Sequence, residues 1–320
     1  MKSFILPLLG IFTLLLFCSW GFFGHKKINH LAVFTLPKEM IRFYKHNIDF
    51  LTDNAVNPDK RRYAVKEEAA RHYLDTDHYG KHPFDSLPQR WNDAVAKYTA
   101  DTLQAYGIVP WHIQTMLYRL TNAFKMQDSV QILRYSADIG HYIADAHVPL
   151  HTTENYNGQL TGQDGIHGLW ESRLPELFAH DYDFFVGKAE YIDHPLKKAW
   201  QIIKASNAAL DSVLSIEKQL SSSFPSDQKY SYEMRGAVLT KVYAPSFCKT
   251  YHEQLNGMVE RRMRAAIIAV GSYWYTAWVD AGQPDLTKLQ KKELPIQEKT
   301  LDELADKAFE KGKILGRKEE

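Results

Sequence analysis

Imidazole and carboxylate side chains recur at helical spacing in one stretch of the chain. His141 and Asp145 lie four residues apart, His167 and Glu171 repeat this spacing, and His151 stands between the two pairs. Side chains four residues apart share one face of a helix. Zinc takes imidazole nitrogen and carboxylate oxygen as ligands, and one site needs three or four of them. These five residues therefore predict a cluster of more than one metal ion.

The two pairs must be carried by helices that meet. Apolar residues at three- and four-residue steps predict a helix over residues 129–148 that bears the first pair, and Pro149 ends it. Gly140 and Ala144 are small, so a neighbouring helix could approach the metal-bearing turn. The second pair would lie on the first turns of another helix, after a Gly-, Asn- and Gln-rich loop over residues 152–166 that rims the cleft.

Three further histidines, His147, His180 and His194, have no carboxylate or imidazole partners at such spacing. A single histidine at helical spacing is more often a core or surface residue than a ligand, so these three are interpreted as ordinary histidines. The combination of two pairs with a fifth residue is what favours metal binding.

This set of residues resembles that of the zinc-dependent phospholipase C and single-strand nuclease superfamily, whose members are all-helical secreted enzymes that hold three zinc ions. The resemblance covers the ligand set throughout residues 20–171, whereas the C-terminal half resembles the family only in being helical. It implies an all-α fold, a single multi-helical domain with a trinuclear zinc cleft, over residues 20–285. Helical periodicity predicts about ten helices in this domain.

Residues 1–19 are interpreted as a secretory signal peptide, because a basic N-terminus precedes an almost entirely apolar run. Cleavage after Ser19 would leave Trp20 as the first residue of a secreted or periplasmic protein. The alternatives are an uncleaved anchor helix and lipidation at Cys18, for which the preceding residues are a poor signal. With Cys18 removed, Cys248 is the remaining thiol, so no intramolecular disulfide is expected. Fungal members of the family differ here, since they carry disulfides.

The expected mature start is a second match to the family. There, an N-terminal tryptophan binds zinc through its free α-amine and carbonyl, together with a nearby histidine. The resemblance thus implies Trp20 and His25 as ligands. Considered without the family, Trp20 is only the end of a hydrophobic leader.

A third match lies in residues 71–77, which resemble the family's His-aromatic-x-Asp motif and imply that His72 is a zinc ligand. In the family, a carboxylate thirteen to fifteen residues earlier completes the site. Asp59 lies thirteen residues before His72, and Asp59-x-x-Arg62 matches the family's Asp-x-x-Arg. The resemblance therefore favours Asp59, with Asp53 as the alternative.

The resemblance also implies roles in substrate binding. Arg62 would clamp a phosphate oxygen with its planar guanidinium, although spacing alone favours a solvated basic turn over residues 60–62. Tyr73 occupies the position of an aromatic residue that stacks on a nucleobase, and Asp75 that of an acid that accepts hydrogen bonds from the base edge. The alternative for Tyr73 is packing beneath the site.

Carried over residue by residue, the resemblance distributes the ligands over three zinc ions: Asp59, His72, His141 and Asp145 for the first; the Trp20 amine and carbonyl, His25 and the shared Asp145 for the second; His151, His167 and Glu171 for the third. It implies that a hydroxide bridging the two ions that share Asp145 attacks phosphorus in line. The third ion would stabilise the leaving alkoxide, and Arg62 would counter charge on the equatorial oxygens.

The sequence features that bear on the substrate favour different classes of phosphodiester. The chain has 39 basic and 38 acidic residues, so net charge gives no indication of nucleic-acid binding. The Trp20-to-His25 spacing and the Asp59-x-x-Arg62 match favour a nuclease for single-stranded DNA or RNA. Glu171 favours the alternative, a phospholipase C, whose members use Glu at that position. A non-catalytic secreted protein with structural zinc is the second alternative. No protein partner is implied.

The rest of the sequence is expected to form scaffold. Helical patterns cover residues 87–106, 113–125, 195–220 and 232–270. Residues 286–320 are rich in Lys and Glu and are interpreted as a solvated charged tail, with a lone charged helix as the alternative.

Overall fold

The structure is a computed structural model that describes residues 22–235, 238–312, 314–315 and 317. These residues form fourteen α-helices and one two-stranded antiparallel sheet, which confirms the expected all-α class with more helices than expected. The expected signal peptide and Trp20 lie outside the described residues. Among the described helices, none combines the length and the apolar character needed to span a bilayer.

Short helices in the first half of the described chain lead into two long ones. In order they are α1 Phe22–Ala32, α2 Lys38–His46, α3 Ile48–Asp53, α4 Asn57–Arg61, α5 Pro83–Ser86, α6 Trp91–Tyr98, α7 Ala100–Tyr106, α8 Val109–Lys125 and α9 Ser129–Ala146. The second half contains α10 Leu174–Phe178, α11 Pro195–Ser223, β1 Tyr230–Arg235, β2 Val238–Tyr243, α12 Pro245–Gln254, α13 Met258–Asp280 and α14 Ile296–Glu310.

Helix α9 is the centre of the fold. It packs against α1, α3, α8, α11 and α13, and its residues from Ser136 to Ala146 are all buried. A helix that is covered on every side needs apolar residues all round or partners for its polar ones, and the buried Asp138, His141 and Asp145 of α9 have such partners. Its start is fixed by Asp128, whose side chain accepts hydrogen bonds from the backbone N–H groups of Val130 and Gln131. It ends at Ala146, two residues before the expected position.

Gly140 lets α1 lie directly against α9. A Cβ at Gly140 would stand 2.0 Å from Oδ1 of Asn29, a fully buried residue of α1. The Asn29 amide donates to the Ala137 carbonyl at 3.0 Å, which links the two helices at this point. The close approach that the small residue predicted is confirmed, and it sets the turn of α1 that carries His25 against the metal-bearing turn of α9.

The helical pattern expected over residues 232–270 is wrong in its first part, where β1 and β2 form a hairpin. Tyr, Thr and Val dominate these strands, and such β-branched and aromatic residues favour strands. One face of the hairpin exposes Tyr232, Met234 and Leu239, so its apolar residues are not those of a buried helix face. Arg173 forms an ion pair with Glu233 and anchors the hairpin to the domain.

Helix α14 packs onto the domain, in contrast to the solvated tail that the composition of residues 286–320 suggested. Asp302 of α14 accepts a hydrogen bond from Arg134 of α9 at 2.7 Å. The ring of Phe309 packs edge-on against Tyr63 at 5.1 Å between centroids and stacks on Phe22 at 5.8 Å. Composition alone did not predict this contact, because the charged residues of α14 form ion pairs with the domain surface instead of being solvated.

The Gly140 contact leads to a stability prediction. Gly140→Ala would force Asn29 to move and separate α1 from α9, so it should lower the free energy of unfolding by about 1–3 kcal/mol, as overpacking typically does. Urea denaturation measures the change. Gly168→Ala is the matched control, since a Cβ there meets nothing within 4 Å. Equal stability of the two variants would contradict the packing argument.

Candidate metal centre

Eight of the nine sequence-predicted ligands are described, and all eight converge. They form three groups in which one ligand atom of each residue lies within 4.8 Å of the others. The groups are His25, His141 and Asp145; Asp59, His72 and His141; and His151, His167 and Glu171. The ninth, Trp20, lies outside the described residues. Asp53, the alternative to Asp59, is in none of the groups and instead pairs with Lys26 at 3.0 Å on the surface.

Asp145 and His141 join the first two groups. Oδ2 of Asp145 lies 2.9 Å from His72 Nδ1 and 3.2 Å from His141 Nε2. Its other oxygen, Oδ1, lies 3.3 Å from His25 Nε2. On the outer side, Asp59 Oδ1 is 3.5 Å from His141 Nε2. The two oxygens of Asp145 therefore face two different groups of ligands, which is the arrangement of a carboxylate that bridges two metal ions.

Glu171 connects the third group to the first. Its Oε2 lies 2.7 Å from His167 Nε2 and 3.2 Å from His151 Nε2, while Oε1 lies 3.1 Å from His25 Nε2. The segment Gly168–Arg173 is a π-helix, a wide turn that often occurs at functional sites. Sequence spacing paired Glu171 with His167, and the resemblance placed both in the third group, but neither indicated the contact with His25.

The ring orientations of two histidines fit a metal centre. Nδ1 of His141 lies 2.9 Å from the Ala55 carbonyl, and Nδ1 of His151 lies 2.8 Å from the His72 carbonyl. A carbonyl can only accept, so each Nδ1 carries a proton and each Nε2 points into the cluster, where it can bind a metal ion once it is deprotonated. Metal-binding histidines are usually oriented in this way. With carboxylates beside them, the donor set fits a divalent ion such as zinc.

The carboxylates of the cluster are held in their charged form. Burial alone would raise the pKa of Asp145, but the imidazoles of His141 and His151 outweigh it and hold the pKa well below its usual value. Burial and His151 oppose each other in the same way at Glu171, whose pKa is also well below its usual value. Burial lowers the pKa of His72, yet the neighbouring carboxylates of Asp145 and Glu68 raise it to about 9. The carboxylates therefore attract positive charge into the cluster, either as a proton on His72 or as a metal ion.

A buried ionic network lies behind His72, and the sequence did not predict it. Arg61 is 2.9 Å from Asp138 and 3.6 Å from Glu68, and Tyr142 donates a hydrogen bond to Glu68. Glu68 is fully buried and its Oε1 lies 3.7 Å from Nε2 of His72, so it lies on the side of the ring opposite the cluster. Arg61 supplies the charge that a buried carboxylate requires.

The interpretation of residues 60–62 as a solvated basic turn is wrong. Arg61 and Arg62 are only 6% and 2% exposed. The Arg62 guanidinium lies beside the second group, with Nη1 4.0 Å from Asp59 Oδ1. It is buried because it is covered by the residues after α14, which we call the C-terminal segment. The backbone N–H of Leu315 donates to the Arg62 carbonyl at 2.9 Å, and the Arg62 guanidinium donates to the Arg317 carbonyl.

Tyr73 and Asp75 lie together in a buried recess that contains the side chain of Arg317. The guanidinium carbon stands 4.0 Å from the centre of the Tyr73 ring and 3.6 Å from that of Tyr156, and Nη1 donates to Asp75 at 2.6 Å. Tyr156 belongs to the expected loop over residues 152–166. Sequence reasoning missed this tyrosine, and the one signal for it was an aromatic residue in a polar loop near two ligands.

Gly107 positions the backbone of Tyr73. Its φ is +93°, and an added Cβ would lie 2.2 Å from the Tyr73 carbonyl oxygen. Val109 and Ile108 donate to the carbonyls of Tyr73 and Ala70, at 3.2 and 2.7 Å. Only glycine permits this conformation together with so close an approach, so the turn before α8 fixes the segment that carries His72 and Tyr73.

The histidines without sequence partners stay outside the three groups. His147 is buried, and its Nδ1 donates to the Ile143 carbonyl at 2.7 Å. His180 is exposed and lies 3.3 Å from Asp181. Neither contact involves a residue of the cluster.

No protein-family model matches the chain, and a search of curated proteins gave no match either. Inference about function therefore depends on the residues and the geometry of the site.

The bridging position of Asp145 predicts how metal content responds to mutation. One oxygen of Asp145 lies beside His72 and His141 and the other beside His25, whereas His167 belongs to the third group alone, so Asp145→Asn should remove more bound metal per chain than His167→Ala. Inductively coupled plasma mass spectrometry on zinc-saturated, dialysed protein measures the difference. His180→Ala should leave the content unchanged. Equal losses from the Asp145 and His167 variants would contradict the bridging role.

Proposed function

We propose that the chain is a secreted zinc-dependent phosphoric diester hydrolase of the phospholipase C and single-strand nuclease superfamily, and that it cleaves single-stranded DNA or RNA. One observation carries the proposal: eight imidazole and carboxylate ligands, on separate segments of the chain, meet in three connected groups. Zinc ions bound there would polarise the phosphodiester and lower the pKa of water to supply hydroxide near neutral pH.

The residues around the groups suit a phosphodiester substrate. Asp145, with one oxygen toward each of two groups, would hold these groups at a fixed separation. Arg62 lies close to Asp59 at the edge of the second group, where its planar guanidinium could bind two oxygens of a phosphate. Trp20 would contribute its α-amine beside His25 once residues 1–19 are removed, which is why the proposal includes secretion.

The ligand composition supports a catalytic centre over a purely structural one. Structural zinc sites are usually closed shells of four cysteine and histidine ligands. Here Asp59, Asp145 and Glu171 contribute three carboxylates, and cysteine contributes nothing to the three groups of described residues. Carboxylates shared between neighbouring groups are expected where two ions act together on one substrate.

The recess beside the site favours a nucleobase over a lipid headgroup. Tyr73 and Tyr156 accept a flat guanidinium at stacking distance, and Asp75 accepts its N–H donor. A nucleobase is also flat and carries N–H donors on its edge. A trimethylammonium group surrounds its nitrogen with methyl groups and cannot approach two rings as closely.

A phospholipase C remains the alternative, and two observations favour it. The recess binds a cation between aromatic rings and a carboxylate, which are the groups that recognise choline in other proteins. Glu171, in addition, is the residue that phospholipase members of the family use in the third group. The lipid substrate would then be phosphatidylcholine.

The test compares both substrates under one set of conditions. The protein without residues 1–19, saturated with zinc, should release nucleotides from single-stranded DNA or RNA and leave phosphatidylcholine vesicles intact. His141→Ala should abolish this activity while retaining the helical circular dichroism spectrum. Release of phosphocholine alone would transfer the chain to the phospholipase branch. With zinc bound and neither substrate cleaved, the non-catalytic alternative would stand.

Tyr73 provides a second prediction for the nuclease. Tyr73→Leu removes a stacking surface worth on the order of 1–3 kcal/mol per base, so kcat/KM on single-stranded DNA should fall about five- to hundredfold. Steady-state kinetics on a short oligonucleotide measures the loss. Tyr118→Leu, at a tyrosine that is 67% exposed, is the matched control. If Tyr73 only packs beneath the site, stability would fall and KM would not change.

A further inference from the structure

The recess beside the metal centre is occupied by a residue of the same chain. We call it the tyrosine slot: the rings of Tyr73 and Tyr156, the Asp75 carboxylate and the Thr153 carbonyl. Arg317 donates from Nη1 to Asp75 at 2.6 Å and from Nη2 to the Thr153 carbonyl at 3.2 Å, while its guanidinium carbon lies over both rings. The slot therefore holds a flat group that presents two N–H donors.

The C-terminal segment closes the slot as well as filling it. Tyr73 and Asp75 are each only 6% exposed, and the side chain of Arg317 is 10% exposed. Any ligand that stacks on Tyr73 and bonds Asp75 must therefore take the place of Arg317. The same segment covers Arg62, whose guanidinium donates to the Arg317 carbonyl. Arg317 thus contacts all three residues proposed to bind substrate, Arg62, Tyr73 and Asp75.

Helix α14 keeps this segment near the slot. Lys60 of α4 pairs with Asp306 at 2.9 Å, Arg134 of α9 pairs with Asp302, and Phe309 packs on Tyr63. Between Phe309 and Arg317 there are only seven residues, so a short tether joins a firmly packed helix to the group in the slot. Such a tether keeps the local concentration of the guanidinium high after it leaves the slot.

The described residues that directly follow α14 are not packed on the domain: Lys311 and Gly312 are exposed. Further along, Leu315 donates a backbone hydrogen bond to the Arg62 carbonyl, and Arg317 contacts the slot. Exposed segments at the end of a chain open locally at a small fraction of the free energy of global unfolding. Arg317 can therefore leave the slot while α14 stays in place.

We propose that Arg317 is an internal competitor for substrate: its guanidinium occupies the slot that recognises the planar, N–H-bearing edge of the substrate, and substrate binds only after the C-terminal segment swings away. The proposal deepens the nuclease function and rests on it for the identity of the ligand. Guanine matches the contacts of the guanidinium best, because it is flat and has neighbouring N–H donors at N1 and N2. The device would restrain hydrolysis until a substrate or another change displaces the segment.

The test measures binding and turnover separately. Equilibrium dialysis with radiolabelled guanosine, which has no phosphate, reports on the slot without requiring hydrolysis. If the slot is closed most of the time, apparent affinity falls by the fraction that is open, so Arg317→Ala should bind guanosine at least about tenfold more tightly than the unaltered chain. KM on single-stranded DNA should fall in parallel.

Two variants control for charge and for fold. Arg317→Lys keeps the charge near Asp75 but lacks the flat surface that stacks on the rings, so its affinity should lie between those of the Ala variant and the unaltered chain. Arg264→Ala removes a different arginine, whose ion pair with Asp183 involves no residue of the slot, and should change neither guanosine affinity nor KM.

The outcomes separate this inference from the proposed function. Tighter guanosine binding by Arg317→Ala without hydrolysis by any variant would retain the competitor and reject the nuclease. Hydrolysis by all variants with the same KM and the same guanosine affinity would retain the nuclease and overturn the competitor. Weaker guanosine binding by Arg317→Ala would also overturn it, because Arg317 would then be part of the binding site.

Discussion

The site depends on one buried carboxylate, that of Asp145. It is 1% exposed and lies within 3.3 Å of nitrogens of His25, His72 and His141. A charge buried without partners is strongly destabilising, so these three histidines must reach Asp145 together when the chain folds. Folding and assembly of the ligand set are therefore linked, and a metal ion that binds the folded chain alone would stabilise it further by mass action.

The burial of Asp145 requires an enclosed helix, and α9 is buried throughout Ser136–Ala146. A charged residue at its C-terminal turn can be buried only if the neighbouring helices deliver compensating groups. Gly140 allows α1 to bring His25 close, and the network of Arg61 and Glu68 supports His72 from behind. Close packing at Gly140 and charge compensation behind His72 thus both hold histidines against Asp145.

The C-terminal segment gives the proposed enzyme a second state. The interactions of Arg317 with Tyr73, Tyr156 and Asp75 are those expected of a bound base: stacking and N–H donation to a carboxylate. Since the Arg317 guanidinium and a substrate base need the same surface, they exclude each other. The fraction of the time that Arg317 fills the slot is set by the tether, and no change in the metal centre is required. Specificity and restraint would then arise from the same slot.

The sequence by itself predicted which side chains converge. Helical spacing singled out two pairs, His141 with Asp145 and His167 with Glu171, and the resemblance to the superfamily added His25, Asp59 and His72. The sequence also determined the class of fold through helical periodicity. Only the tertiary structure decided what depends on distant contacts: the link from Glu171 to His25, the burial of Arg62, the strands in place of a helix at Tyr232, and Arg317 in the slot. Local composition describes charge and propensity, but a charged segment is solvated or packed according to the partners that folding brings to it.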